Sequence, residues 1–420
     1  MDKFIINGGK RLEGTVPIPG SKNSVLPILA GTILASSGKC IIDNVPDLRD
    51  IDFMLKVLET LGVEVKYDKE NRSVETSAKN VTNHKAPYDL VRKMRASFLI
   101  MGPLLGRFGE AEVSQPGGCV LGARPVNLHI KGFEALGAEI VDDGGYFKAH
   151  AEKLIGSDVY FDRPSHTGTE NIMLAAALAE GKTRIINAAC DPEVVDVALF
   201  MNKMGAKIEG AGSTIIEIEG VSELAGCQYA AMPDRLVIGT FACMAAITGG
   251  ELLLKNANES DIKLPLMKLK KMGVKIKVVD EGIWVSSDGN LNGCEITTYP
   301  YPGFPTDLQS CFMALCSVSK GTTNIVETVF ENRMGHTMEL NRLGANINVS
   351  GDRAVINGVE TLKGASVMAS DIRAGAALVT AGLRAIGTTE ILRVYHIDRG
   401  YEKIDVRLRS IGADIRRVSE

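Results

Sequence analysis

A short phrase recurs six times along this 420-residue chain: LETLGVEV, FEALGAEI, MNKMGAKI, LKKMGVKI, LNRLGANI and LRSIGADI. Its glycines are Gly62, Gly137, Gly205, Gly273, Gly344 and Gly412, spaced 68 to 75 residues apart. Each phrase predicts the last turn of an amphipathic helix, a left-handed glycine after it, and a strand of alternating apolar residues. A second set, Gly38, Gly109, Gly181, Gly250, Gly321 and Gly387, precedes short β-prone runs such as KCIIDNV and TTEILRV. Upstream of each lies an apolar segment, for example NSVLPILAGTILA, MRASFLIMGPLLG or DRLVIGTFACMAA. Segments apolar almost all round predict buried helices.

A period this long marks one supersecondary unit used repeatedly. The unit reads as buried helix, strand, loop, exposed helix, strand, with a further strand such as NRSVETSA or STIIEIEG. Six units fill the chain, which predicts an α/β fold with three units per domain. The break is expected near Cys227–Arg235, giving one domain of residues 21–230 and another of 1–20 plus 231–420. A solenoid is the alternative, but wholly apolar helices in units of this size suit closed globular halves better.

Composition narrows the function classes. A net charge of −4 argues against a general nucleic-acid binder. No apolar run is long enough to span a bilayer, and the opening MDKFIINGGKRLEG lacks a leader's apolar core, so a cytoplasmic protein is expected. Eight cysteines without CxxC or Cys/His zinc spacing read as free thiols in a reducing compartment, and no metal or cofactor is expected. Cys243, Cys311 and Cys316 lie in apolar helices and are read as core residues. The GKT at Gly181 resembles a phosphate loop, but Ala176 stands where a glycine is required.

Charged residues collect in two places. The loops between strand and exposed helix carry Arg49 and Asp50, Glu331, Arg333 and His336, and Asp398 with Arg399. The starts of the buried helices carry Lys22 and Asn23, Arg95, Thr169 and Glu170, Asp234 and Arg235, Thr306 and Asp307, and Asp371 with Arg373. Helix N-termini attract anions, and arginine offers two parallel donors to carboxylate or phosphate. Together these residues predict a polyanionic substrate. Asp234, Asp307 and Asp371 fit equally well as helix N-caps.

Cys119 differs from the other cysteines. Its surroundings, SQPGGCVLGARPVNLH, place Pro116, Gly117, Gly118, Gly122 and Pro125 around it and exclude regular helix or strand. A thiol there gains little from core burial, and Arg124 would favour the nucleophilic thiolate.

With these residues assembled, the chain resembles the UDP-N-acetylglucosamine 1-carboxyvinyltransferases, a branch of the enolpyruvyl transferase family. The resemblance rests on PGSKNSVLPILA, APYDLVRKMRAS, PGGCVLGARPVNLHI, FPTDLQ, ETVFENRMGH, MASDIRAGAALV and YHIDRGYEKI, and runs from end to end. It implies two inside-out α/β barrels, each of three βαβαββ repeats, with the N-terminal strand in the second domain and the active site in the cleft between them. It implies transfer of the enolpyruvyl group of phosphoenolpyruvate to the 3′-hydroxyl of UDP-N-acetylglucosamine through a tetrahedral intermediate, at the entry to peptidoglycan synthesis, with no cofactor.

The resemblance also implies roles. Cys119 would be the proton donor and the thiol alkylated by fosfomycin, on a loop that folds over the cleft. Asp307 would take the proton of the attacking hydroxyl. Lys22, Arg124 and Arg399 would hold phosphate, and Arg333 with Arg373 the phosphoenolpyruvate carboxylate. Asn23, Arg95, Val329 and the run Arg124, Pro125, Val126, Asn127 and Leu128 would contact the sugar nucleotide. Arg49, Asp50, Arg163, Ser165, His166 and Asp371 complete the expected binding set. Arg49, Asn127 and His166 stand where the family often has lysine, aspartate and a smaller residue. The shikimate 3-phosphate branch lacks the cysteine loop, and a non-catalytic paralogue is the reading outside enzymes. No regulatory partner is legible.

Overall fold

The computed structural model describes residues 2–91, 94–115 and 126–419. The chain divides into two compact units, one running from Gly20 to Met232 and the other taking residues up to Pro19 and from Pro233 onward. Among the described residues there are six four-stranded sheets, and each repeats one topology. The third repeat shows it without interruption. Strand Asp158–Tyr160 leads into helix His166–Ala176 and strand Lys182–Ile186, then helix Pro192–Met204 and strands Lys207–Glu209 and Ile215–Glu219. The first two strands pair in parallel, with Val159 opposite Ile185, and the last two join antiparallel, with Ile185 opposite Ile216. Each repeat is therefore βαβαββ.

Three repeats borrow a strand from far along the chain. Gln228–Ala230 pairs in parallel with Cys40–Asp43 and supplies the first strand of the first repeat. Glu13–Pro17 does the same for the fourth repeat by pairing with Glu251–Lys255. Lys3–Asn7 lies between Thr388–Leu392 and Asp414–Val418 and completes the sixth. The opening segment of the chain thus ties together the last unit, because a sheet edge left unpaired would expose its backbone donors and acceptors.

All six glycines of the recurring phrase adopt positive φ, between 90° and 111°. The second set behaves similarly except in the fourth repeat, where Gly249 rather than Gly250 is the left-handed residue ending helix Arg235–Thr248. The second buried segment also departs from expectation. It forms a 3₁₀ turn over Arg95–Ile100 and then a shorter helix, Met101–Phe108, containing Pro103. A proline within the first turn supplies no donor there, so the helix proper starts only just before it.

Helices lie inside and sheets outside. Arg235–Thr248, Thr306–Cys316 and Ile372–Arg384 pack on one another, and nearly every residue in them is buried. In the other unit Met101–Phe108 packs on His166–Ala176, and Lys22–Gly31 packs beside them. Close crossing needs small residues. A Cβ at Gly102 would stand 2.3 Å from the carbonyl oxygen of Asn171, and the Gly102 N–H donates to Asn171 Oδ1 at 2.8 Å.

Gly102→Ala is expected to lower the thermal unfolding temperature, at a cost of at least about 1–3 kcal/mol for overpacking. Gly335→Ala, where the added methyl meets nothing within 4 Å, should stay within about 0.5 kcal/mol of the parent. Equal melting temperatures for both variants would contradict the close crossing.

Candidate active site

In the unit from Pro233 onward, three buried helices begin near one another. Asp234 and Asp371 are N-caps: Asp234 Oδ1 accepts from the N–H of Leu236 and Val237, and Asp371 Oδ1 from the N–H of Arg373 and Ala374. Asp307 is different. The residue capping its helix is Pro305, so Asp307 falls in the first turn and its carboxylate points elsewhere. Arg333 Nη2 donates to Asp307 Oδ1 at 2.6 Å, and Arg373 Nε lies 3.4 Å from the same oxygen. Both guanidiniums are almost wholly buried, whereas the Asp307 side chain remains one-third exposed.

Each arginine is held from behind. Arg373 Nη1 donates to the Tyr401 hydroxyl at 3.0 Å, and that hydroxyl is 2.9 Å from Thr240 Oγ1. The Arg373 carbonyl accepts from Ser310 Oγ. The Arg333 carbonyl lies 3.1 Å from His336 Nδ1, so the buried His336 ring is the Nδ1–H tautomer by this contact. Burial holds His336 down to about 4, with Asp371 opposing and Arg333 assisting. Val329 is fixed by Glu327, whose Oε1 accepts from the N–H of Val329 and Phe330 while Thr298 and Thr306 donate to the same carboxylate. Sequence reasoning did not single out Glu327, Thr240 and Tyr401: Thr240 stands in the middle of helix Arg235–Thr248, Glu327 directly follows strand Thr322–Val326, and Tyr401 comes just after the 3₁₀ turn Val394–Arg399. Arg399 is half-buried at the end of the 3₁₀ turn Val394–Arg399, and its neighbour Asp398 is occupied by Arg417.

The unit from Gly20 to Met232 gathers a second set. Lys22 opens helix Lys22–Gly31, is buried, and meets Asp50 Oδ2 at 3.2 Å. Asn23 beside it is half-buried, while Arg49, next to Asp50, is exposed. Arg95 is half-buried at the start of its 3₁₀ turn. Close by is His129, which was not among the expected site residues. Its Nδ1 takes a hydrogen bond from Asn171 Nδ2 at 3.0 Å, and its Nε2 lies 3.3 Å from Thr167 Oγ1. Burial, assisted by Arg95, holds His129 down to about 3. Val126 and Leu128 are buried at the start of helix Asn127–Ala135, and Asn127 is exposed.

Ser165 caps helix His166–Ala176 through Gly168 N–H, and Arg163 before it is exposed. His166 Nε2 is 3.1 Å from Glu170 Oε1, and its Nδ1 is 3.6 Å from Asp191. Burial disfavours charge on this ring, but Glu170 and Asp191 outweigh it and hold its proton well above the ordinary histidine range. Cys119, Arg124 and Pro125 lie outside the described residues. Among the seven described cysteines, Cys40, Cys243, Cys311 and Cys316 are buried. Burial pushes the Cys311 and Cys40 thiols up to about 11, which makes them poor nucleophiles at neutral pH. No helix among the described residues is long and apolar enough to cross a membrane.

The fold is that of the enolpyruvyl transferases. The crystal structure of the enolpyruvyl transferase NikO from Streptomyces tendae superposes over 100% of this chain and 99% of its own, with a TM-score of 0.88 at 24% identity. EPSP synthase from Acinetobacter baumannii covers both chains in full with a TM-score of 0.76 at 19% identity. The sequence model of the family described as EPSP synthase (3-phosphoshikimate 1-carboxyvinyltransferase) matches residues 6–408. UDP-N-acetylglucosamine 1-carboxyvinyltransferase of Methylacidiphilum infernorum is 52% identical over 421 residues, covering 100% of this chain and 99% of its own. That of Desulfosudis oleivorans is 50% identical over 419 residues, covering both chains in full. The chain belongs to the UDP-N-acetylglucosamine 1-carboxyvinyltransferase family.

The histidines give a pH test whose sign follows from linkage. Between pH 6.5 and about 4 the unfolded chain protonates His129 and His336, while the native chain leaves both neutral. The unfolded state then binds more protons, so stability falls as pH falls through this window, approaching about 1.4 kcal/mol per pH unit for each histidine in its own unit. Imidazole NMR at pH 5.5 should show His129 and His336 neutral and His166 protonated. A cationic His129 at that pH would contradict the buried contacts described.

Proposed function

We propose that this chain transfers the enolpyruvyl group of phosphoenolpyruvate to the 3′-hydroxyl of UDP-N-acetylglucosamine, with release of phosphate. The observation that carries the reaction class is the state of Asp307: it is the aspartate at a buried helix start in its unit that is not spent on a cap, and it touches two guanidiniums. The choice of acceptor is supported by full-length relatives of that name at 50% identity and above.

Asp307 takes the proton of the attacking hydroxyl. A carboxylate between arginines is a weak base, so its contribution is proximity to the hydroxyl rather than basicity. Arg333 and Arg373 bind the carboxylate of phosphoenolpyruvate through paired donors. Lys22, Arg124 and Arg399 hold the phosphate, and Cys119 protonates the methylene carbon. That step produces an oxocarbenium-like centre, which the hydroxyl oxygen attacks as Asp307 accepts its proton. Return of a methyl proton to Cys119, and departure of phosphate with the proton held by Asp307, then give the enol ether product. Asn23, Arg95, Val329 and the segment from Arg124 to Leu128, with Ser165 and His166, bind the sugar nucleotide.

Phosphate release from phosphoenolpyruvate tests the assignment with each acceptor separately. Turnover with UDP-N-acetylglucosamine and none with shikimate 3-phosphate is expected; release with neither would overturn the enzyme reading. Asp307→Asn should lower kcat by at least 10²-fold with a smaller change in KM, as expected for loss of a proton acceptor. Cys119→Asp should keep measurable turnover and lose the fosfomycin adduct, and an alkylated variant protein in mass spectrometry would count against Cys119 as the alkylated thiol.

A further inference from the structure

The unit from Gly20 to Met232 contains a donor cluster that the transfer reaction does not use as a whole. His166, Asp191 and Glu193 each offer one atom, and these atoms lie within 4.8 Å of one another. They come from two helix starts: His166 opens His166–Ala176, Asp191 caps Pro192–Met204, and Glu193 lies in the first turn of that helix. The two starts are fastened together, because the Ala189 N–H donates to Thr169 Oγ1 at 3.0 Å. Glu193 is buried, while the His166 and Asp191 side chains keep 27% and 15% exposure, which leaves a path to solvent.

Glu170 supplies the independent observation. It is fully buried in helix His166–Ala176, its Oε1 faces His166 Nε2 at 3.1 Å, and its Oε2 has no hydrogen-bond partner among the described residues. A carboxylate on one ring nitrogen, with carboxylates facing the other, is the arrangement that orients a metal-binding imidazole.

We propose that His166 Nδ1, Asp191 and Glu193 bind a divalent transition cation such as Zn²⁺, with Glu170 orienting the imidazole through Nε2–H. One imidazole and two carboxylates suit Zn²⁺ better than Mg²⁺, which prefers an all-oxygen octahedron. Binding displaces the proton on His166, so uptake releases a proton and weakens as pH falls. The site shares His166 with the sugar-nucleotide contacts proposed above, and a bound cation would brace the loop before Asp191 against helix His166–Ala176.

Calorimetric titration of the full chain with Zn²⁺ and with Mg²⁺, and the visible spectrum with Co²⁺, test this. The expected result is one equivalent of Zn²⁺ bound in the micromolar range, no comparable Mg²⁺ uptake, and a Co²⁺ ligand-field band without a thiolate charge-transfer band. His166→Val should weaken Zn²⁺ by more than about 100-fold, and Glu170→Gln by about 10–100-fold. The partly exposed His166 makes its valine variant the safer one for folding, and its melting temperature checks that it is native. Absence of saturable Zn²⁺ binding, binding unchanged in His166→Val, or a thiolate band would overturn the site.

Discussion

A helix buried on every side can show charge to solvent only at its ends, and this constraint organises the molecule. Among the described residues six largely buried helices fill the interiors of the two units, and the starts of most of them carry cations or carboxylates. Along Arg235–Thr248, Thr306–Cys316 and Ile372–Arg384 the middle turns are apolar or small. Their first turns carry Arg235, Asp307 and Arg373. Arg373 feels both Asp307 and Asp234, so the three starts converge on one region of that unit. The positive ends of three helices add to the guanidiniums, and the outcome is a field built for anions.

The cost of holding buried guanidiniums explains the apparatus around them. An arginine removed from water destabilises the fold unless its donors are met. Tyr401, backed by Thr240, meets Arg373 from inside the core, and Asp307 meets both arginines at the open side. Rigid partners behind and one exposed carboxylate in front leave these cations little freedom to turn away. Preorganisation of this kind lets a site bind a developing charge without first rearranging.

The repeat was legible because period, glycine and apolar segment all reported the same unit, and the backbone at each recurring glycine demands positive φ. What the sequence left open was phase. Asp234, Asp307 and Asp371 all stand at helix starts, and no propensity separates a cap from a first-turn residue one or two positions later. Pro305 decides it for Asp307 by taking the cap position itself, and that is visible only once the helix start is fixed. The borrowed strands at Gln228–Ala230 and Lys3–Asn7 were equally hidden in detail, since a five-residue alternation does not say which sheet it joins. A long-range partner such as Asn171 for His129 had no sequence signal, because the two stand 42 residues apart.

Three histidines show how little residue type says without its neighbours. His129 and His336 are buried near arginines and stay neutral, one accepting from Asn171 and the other set against the Arg333 carbonyl. His166 is also desolvated, yet two carboxylates reverse the outcome and keep it charged. The neutral pair adds no charge beside Arg95 or Arg333, where a cation would cost energy by repulsion. In the same way, two guanidiniums around Asp307 leave that cluster with net positive charge. An anionic substrate arriving there improves the balance of the cluster rather than competing with it, so the features that make Asp307 a weak base also make the place where it stands a strong anion site.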